Sequence, residues 1–236
     1  MHFQTLRSFA RQHILTSNTL RYRIELRALL ALIESIPEKN LGKSLLDAGA
    51  GSGEITLRML KLGLCENLIG IEPCAKNFQI LQKNFKQYPQ CRCIRADLEK
   101  IPLPDAAVDS VVSTQVFEHI EDHETAASEV ARVCASGGYA LISTPHPPEI
   151  FPNEGHVRPG YTVEQMTSLF ESVGFKFLDC KYFLTLATLN RGMKSVQLGH
   201  LGKLLPISWA DREKDLTQDQ IKEQQPYGIA CLFRKL

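Results

Sequence analysis

Three histidines, His119, His146 and His156, carry the side chains of this sequence best suited to take a proton near neutral pH. A free imidazole titrates at about 6.5, so each could act as a base toward an attacking hydroxyl. Such assistance speeds a reaction by about 10²–10⁴-fold when the base is well placed. A second set of residues reads as a ligand cradle. Asp47 is followed by alternating glycines at Gly49, Gly51 and Gly53, with Ala50 between the first two. About twenty residues later Glu72 and Pro73 close an apolar run. A glycine turn at the mouth of a helix presents bare backbone N–H groups, and an acid at the end of the next strand can hold both hydroxyls of a ribose.

The spacing narrows the ligand. A dinucleotide fingerprint needs Gly-x-Gly-x-x-Gly, and counting from Gly49 or Gly51 the last position is not glycine. What stands here is Asp-x-Gly-x-Gly-x-Gly. It resembles motif I of the class I S-adenosylmethionine-dependent methyltransferases. The later run Glu118-His119-Ile120-Glu121-Asp122 resembles the ubiquinone/menaquinone-biosynthesis (type 11) group of that family. The resemblance covers residues 43–180 and thins toward both ends.

The resemblance implies S-adenosyl-L-methionine as cofactor. It places Asp47, Gly49, Ala50, Gly51 and Gly53 against the amino-acid end, and Glu72 with Pro73 at the ribose. Asp97 and Leu98 fall at the adenine, walled by Ile101, Pro102 and Leu103, while Gln115 and His119 fall beside the methionine portion. Asp109 matches a structural acid with no chemistry of its own. Direct displacement needs alignment and exclusion of water, worth on the order of 7–11 kcal/mol, and no covalent nucleophile. The acceptor is expected to be a small molecule attacking through oxygen. His156 is the preferred base, because a loop beyond the fifth strand faces the acceptor in proteins of this kind. Arg158 and Tyr161 suit an anionic or aromatic acceptor. Some family members carry Glu-x-x-Glu-His here and bind a divalent ion. This chain has Gln115-x-x-Glu118-His119, which lacks the first carboxylate; Glu118, His119 and His156 could still bind an ion, more weakly, and no metal is expected. An RNA or protein methyltransferase, or a metal-assisted 2′-O or quinone-type enzyme, is the alternative.

These residues need a parallel sheet to bring them together. Strands at 43–47, 67–71, 91–95, 108–114 and 138–144 alternate with helices at 54–63, 74–86 and 123–135, an α/β order. The fold class expected is a three-layer Rossmann-like methyltransferase sheet, mostly parallel with an antiparallel last strand. N-terminal helices and an insertion before the last strand complete it. Each candidate residue falls at a strand's carboxyl end, where such sheets bind ligands. Residues 1–40 read as a helical cap. Phe3, Leu6, Phe9 and Ile14 suggest one short amphipathic helix, and Tyr22, Leu26, Leu29, Leu30, Ile33 and Ile36 form the apolar face of a second, stopped by Pro37. Residues 41–236 form the cofactor-binding domain. Thr162 and Gln165 spell a capping box ahead of a helix, and strands are expected at 175–184 and 227–233. The segment 186–226, about forty residues, is too long for a plain connection and is assigned to shaping the acceptor pocket.

Composition bounds the rest. The 236 residues suit one decorated domain, and a formal net charge of +1 gives no pull toward nucleic acid. Seven cysteines at irregular spacing read as free thiols in a reducing compartment. The longest N-terminal apolar run, Ala28 to Ile33, is six residues and flanked by charge, so neither a secretory leader nor a transmembrane segment is expected. A cytoplasmic location follows. Oligomeric state is not encoded in any pattern.

Overall fold

A computed structural model of the chain describes residues 14–15, 17–148, 155–190, 205–206, 213 and 215–236. The short helix read over residues 1–15 falls largely outside these, as do Phe151–Glu154 and much of the 186–226 insertion, including Arg191, Lys194, His200, Lys203 and Trp209. Ile14 and Leu15, at the end of that first stretch, instead pair antiparallel with Pro206 and Leu205.

The described elements are α1 (Ser17–Ser35), β1 (Ser44–Ala48), α2 (Glu54–Lys61), β2 (Asn67–Ile71) and α3 (Ala75–Phe85). They continue as β3 (Cys91–Ile94), β4 (Val108–Thr114), α4 (His123–Val133), β5 (Cys134–Pro145), α5 (Val163–Ser172) and β6 (Phe175–Thr185). The short α6 (Gln218–Glu223) and β7 (Pro226–Lys235) end the chain. Seven strands form one mixed sheet in the order β3-β2-β1-β4-β5-β7-β6. The pairs β1–β2, β1–β4, β2–β3 and β4–β5 are parallel, and the last strands run antiparallel. The strand order reverses between β2 and β4, on either side of β1. That switch point opens a crevice at the carboxyl ends.

The apolar runs of the central strands have the unbroken character of a sheet covered on both faces: Leu45, Leu46 and Ala48 of β1, and Val111 and Val112 of β4, are fully buried. Asp109 pins the start of this layer. Its carboxylate accepts the Lys43 and Ser44 N–H groups, both at 2.8 Å, and the Ser44 hydroxyl at 3.0 Å. Burial pushes its pKa up, but the bonds from Ser44 and Lys43 outweigh that and hold it below the ordinary carboxylate value.

Two expectations shift. The fourth helix ends at Val133 rather than 135, because β4 claims Cys134 as a partner of Val108. The next pair is Ser110 with Tyr139, so residues 135–138 form a bulge, with Gly137 at φ +81°. On α1 the most buried face carries Ile24, Leu29, Leu32 and Ile33. Tyr22, Leu26 and Leu30 sit at its half-buried margin, a rotation of the stripe drawn from sequence. The Thr162–Gln165 capping box forms as read, each side chain receiving the other residue's N–H.

The chain divides into two compact units: residues 29–181 with 229–236, and residues 1–28 with 182–228. In the second unit Glu213 is buried and accepts the Thr185 N–H at 2.9 Å and hydroxyl at 2.7 Å. The first holds every candidate site residue. No helix among the described residues is long and apolar enough to cross a membrane.

Candidate active site

The glycine turn is fixed from two sides. The Gly49 and Ala50 N–H groups both donate to Ile71 O, at 3.0 and 2.7 Å, so the turn folds over the end of β2. The Glu72 carboxylate lies in the same place. One oxygen accepts the Gly51 N–H at 2.8 Å and the other the Cys74 N–H at 2.9 Å. Each carboxylate oxygen can accept more than one hydrogen bond, so capacity remains for two hydroxyls.

Gly49 and Gly51 do different work. Gly49 has φ +83°, and a Cβ there would run into both methyl groups of Val116. Gly51 has φ +55°, and a Cβ there would meet nothing within 4 Å. One glycine lets the β4 exit pack against the turn; the other leaves the crevice floor bare. Gly49→Ala is therefore expected to cost about 2–4 kcal/mol, from strain plus overpacking, against about 1–2 kcal/mol for Gly51→Ala. Urea unfolding of the two variants measures this, and equal losses would remove the packing role of Gly49.

Asp47 behaves differently from an open ligand group. It is 3 % exposed beneath the turn, and the Thr56 hydroxyl from the first turn of α2 donates to it. Burial raises its pKa to about 7; the Thr56 bond opposes this and the neighbouring Glu72 charge adds to it. The folded value lies above the unfolded one, so the native state holds this proton more tightly. Stability from this group is full below about pH 4 and is lost as pH rises through about 7, by on the order of 4 kcal/mol. Asp47→Asn removes the ionisation. Its stability relative to the parent should rise between pH 5 and pH 8 in urea titrations; a constant difference contradicts the buried-acid assignment.

Pro73 is exposed at the crevice edge, and its carbonyl accepts from Arg95 Nε at 3.2 Å. Asp97 is exposed with an extended backbone ahead of a short turn, and Leu98 is buried. Ile101 and Leu103 are buried, and the Arg132 guanidinium donates to both carbonyls, at 2.9 and 2.8 Å. They serve as core beside α4, while Pro102 is exposed. Gln115 follows β4 with φ +56°, its N–H donating to Ser143 O at 2.8 Å. A non-glycine residue rarely adopts this conformation, and strained backbone of this kind clusters at functional sites.

Beyond Gln115 the chain makes a tight turn at Phe117–His119. Here Glu118, fully buried, His119, exposed, and His156, half-buried, bring one ligand atom each within 4.8 Å of one another. The two imidazoles meet edge to face, 4.7 Å between centroids. His119 Nδ1 lies 2.7 Å from Gly155 O. A carbonyl only accepts, so Nδ1 carries the proton and Nε2 of the neutral ring keeps its lone pair. His146 follows β5 directly, half-buried, and is not part of this group. The resemblance already groups Glu118, His119 and His156 as possible ion ligands, and the structure brings these three together; the role of Gly155 has no local sequence signal.

Arg158 and Tyr161 are tied to groups of the chain itself. The Arg158 guanidinium donates to Phe117 O, Ile120 O and Glu121 O at 2.8, 2.5 and 3.1 Å, and to the Tyr161 hydroxyl at 3.2 Å. Tyr161 is 3 % exposed, and burial pushes its phenol up to about 12, so it stays neutral. The reason is geometric: the loop folds back on the β4 exit, whose turn leaves carbonyls that need donors.

The profile of a methyltransferase domain matches residues 46–142. That match spans about two fifths of the chain, which over those residues is similar to S-adenosylmethionine-dependent methyltransferases. A probable S-adenosylmethionine-dependent methyltransferase of Mycolicibacterium smegmatis is 32% identical over 143 residues, 58% of this chain and 54% of the relative. One of Mycobacterium tuberculosis is 37% identical over 94 residues, 38% of this chain and 34% of the relative. The matches thus span about a third to a half of these relatives' length. Among solved structures, a SAM-dependent methyltransferase from Aquifex aeolicus superposes with TM-score 0.60 at 13% identity, covering 91% of this chain and 92% of that one. The cyclase SpnF gives 0.63 at 18%, covering 88% and 80%. Those likenesses establish the fold alone. The matched stretch takes in the glycine turn, Glu72, Asp97, Gln115 and His119; His146 and His156 lie past it.

Proposed function

We propose that this protein transfers a methyl group from S-adenosylmethionine to an oxygen of a small-molecule acceptor. The observation that carries the reading is the meeting of Gly51 N–H and the Glu72 carboxylate under an open crevice, with the His119–His156 pair close by. Val116 connects them: it packs on Gly49 and lies three residues from His119.

S-adenosylmethionine, when bound, supplies a methyl group on a positively charged sulfur, a leaving group needing no further activation. The chain's own residues bind and orient. Glu72 accepts the ribose hydroxyls; Gly49, Ala50, Gly51 and Gly53 give the close approach; Pro73, Asp97 and Leu98 border the base; Gln115 lines the methyl-donor end. Asp47 acts from beneath by fixing Thr56 and the turn. The acceptor hydroxyl gives its proton to an imidazole as its oxygen forms the new bond to carbon. His119 and His156 form the proton-accepting pair, with His146 at the end of β5 as the third candidate. The malonyl-acyl-carrier-protein O-methyltransferase of Serratia marcescens, 31% identical over 103 residues, is named for transfer to oxygen. Acceptor selectivity is assigned to residues 186–226, and the near-neutral charge favours a small molecule over RNA.

A second reading has its own observation. Glu118, His119 and His156 offer one carboxylate and two imidazoles close enough for a divalent first-row ion. These three would hold it, and it would supply Lewis acidity toward an acceptor oxygen. Calorimetric titration with Zn²⁺ or Mn²⁺ separates the readings: tight binding lost in His156→Ala favours the ion.

Melting the full chain with S-adenosylhomocysteine tests the main proposal. At a hundred times its dissociation constant the ligand should add about 2.7 kcal/mol of stability. No shift with S-adenosylhomocysteine, or an equal shift with NADH, overturns it.

A further inference from the structure

The loop that carries His156 does not rest on apolar packing alone. Its chain returns along the turn after β4 through a ladder of polar contacts. Val157 N–H donates to Glu118 O at 2.9 Å, and the carbonyl of Gly155 accepts a hydrogen bond from His119 Nδ1–H. Tyr161 N–H donates to Pro145 O at 2.9 Å, closing the loop onto the end of β5. Between these contacts sits one guanidinium. Arg158 reaches Phe117 O and Ile120 O on one nitrogen and Glu121 O on the other, so it brackets Glu118 and His119. Its face lies 5.7 Å from the Tyr161 ring centre. The Tyr161 hydroxyl accepts from Arg158, lies 3.3 Å from Phe117 O and meets His123 Nδ1 at 2.5 Å. Burial and the Arg158 charge both lower the His123 pKa, which keeps that imidazole neutral as the partner of the phenol.

We infer that Arg158 is the positioning residue of this site: it clamps the 155–161 loop to the 117–121 turn and thereby sets both the contact of His156 with His119 and the tautomer of His119. This rests on the reading of those histidines as the working pair, and it serves that pair equally as base or as ion ligands. A guanidinium suits the task because its donors leave a rigid plane in several directions and reach carbonyls that a point charge cannot reach together. A tautomer held at Nδ1–H matters for the chemistry. It leaves Nε2 as the free lone pair of the neutral ring, the atom that takes a proton or a ligand bond. Released, the loop takes the Gly155 carbonyl with it, and the ring reverts to the Nε2–H form that an unconstrained imidazole prefers.

The test uses ¹⁵N-labelled full chain. Long-range ¹H–¹⁵N spectra report which nitrogen of His119 holds the proton, and hydrogen exchange reports the Val157 amide. The parent should show the Nδ1–H form. In Arg158→Ala the Nε2–H form should dominate, and Val157 exchange should quicken by roughly tenfold or more as the loop opens locally. Guanidinium ion added to Arg158→Ala should restore the Nδ1–H form, because an open groove lined by His123, Arg158, Tyr161, Gln165 and Ser168 leads to the vacated place. Arg158→Lys, the milder variant to be read if Arg158→Ala fails to fold, should show partial loss of the Nδ1–H form. An unchanged His119 tautomer with unchanged Val157 protection in whichever variant folds overturns the inference. Restoration by sodium or lysine as effectively as by guanidinium also overturns it. The two proposals fail separately. A parent chain that does not bind S-adenosylhomocysteine defeats methyl transfer and leaves the clamp standing; an unmoved His119 defeats the clamp alone.

Discussion

Replacing Glu72 with alanine is expected to weaken S-adenosylhomocysteine binding by two to four orders of magnitude. Each hydrogen bond from a ribose hydroxyl to a carboxylate is worth about 1.5–3 kcal/mol, and this carboxylate is placed to accept two. The loss is not confined to the ligand. Gly51 and Cys74 lose their acceptor, which costs about 1–2 kcal/mol of stability unless water replaces it. Glu72→Gln separates the two effects. Its amide oxygen still takes one backbone N–H, but its NH₂ cannot accept a hydroxyl and confronts the other N–H. Calorimetry on both variants, beside urea unfolding, gives the comparison. Parent-like affinity in Glu72→Ala would remove this residue from the cofactor site.

The second large effect concerns turnover. His119→Ala should slow label transfer from S-adenosylmethionine into a metabolite extract by about 10²–10⁴-fold, the range for loss of a proton acceptor. S-adenosylhomocysteine affinity should stay within roughly threefold, since the carbonyls, N–H groups and acid that hold the nucleoside are intact. His156→Ala should also slow transfer more than it weakens cofactor binding. Because the rings touch and share one proton-accepting task, the double variant should lose little beyond the worse single one. Losses that multiply would mean two independent tasks, and undiminished rates in both singles would take the pair out of the mechanism.

Local pattern was enough to bring the glycine turn and Glu72 together. Its residues are coupled by backbone: a strand ends, a turn must bend where Gly49 and Gly51 stand, and the neighbouring parallel strand ends in register at Ile71 and Glu72. Once β1 and β2 pair, Glu72 has no place to go but beside the turn. The limits of the pattern appear at Asp47, where an acid in a ligand motif is buried under Thr56. The motif gives order along the chain, and only the fold shows which side of the turn a short side chain occupies.

The sequence by itself determined the alternating α/β order, the glycine turn and the acid that follows it, because hydrophobic period and backbone conformation are set by near neighbours. It could name three histidines, and only a family resemblance set His119 beside His156. Tertiary structure decided that His119 meets His156 across 36 intervening positions, and that Arg158, read from sequence as an acceptor contact, is spent on carbonyls of the chain itself. Such contacts are fixed by where a loop lands, and that depends on which backbone groups elsewhere still need a partner.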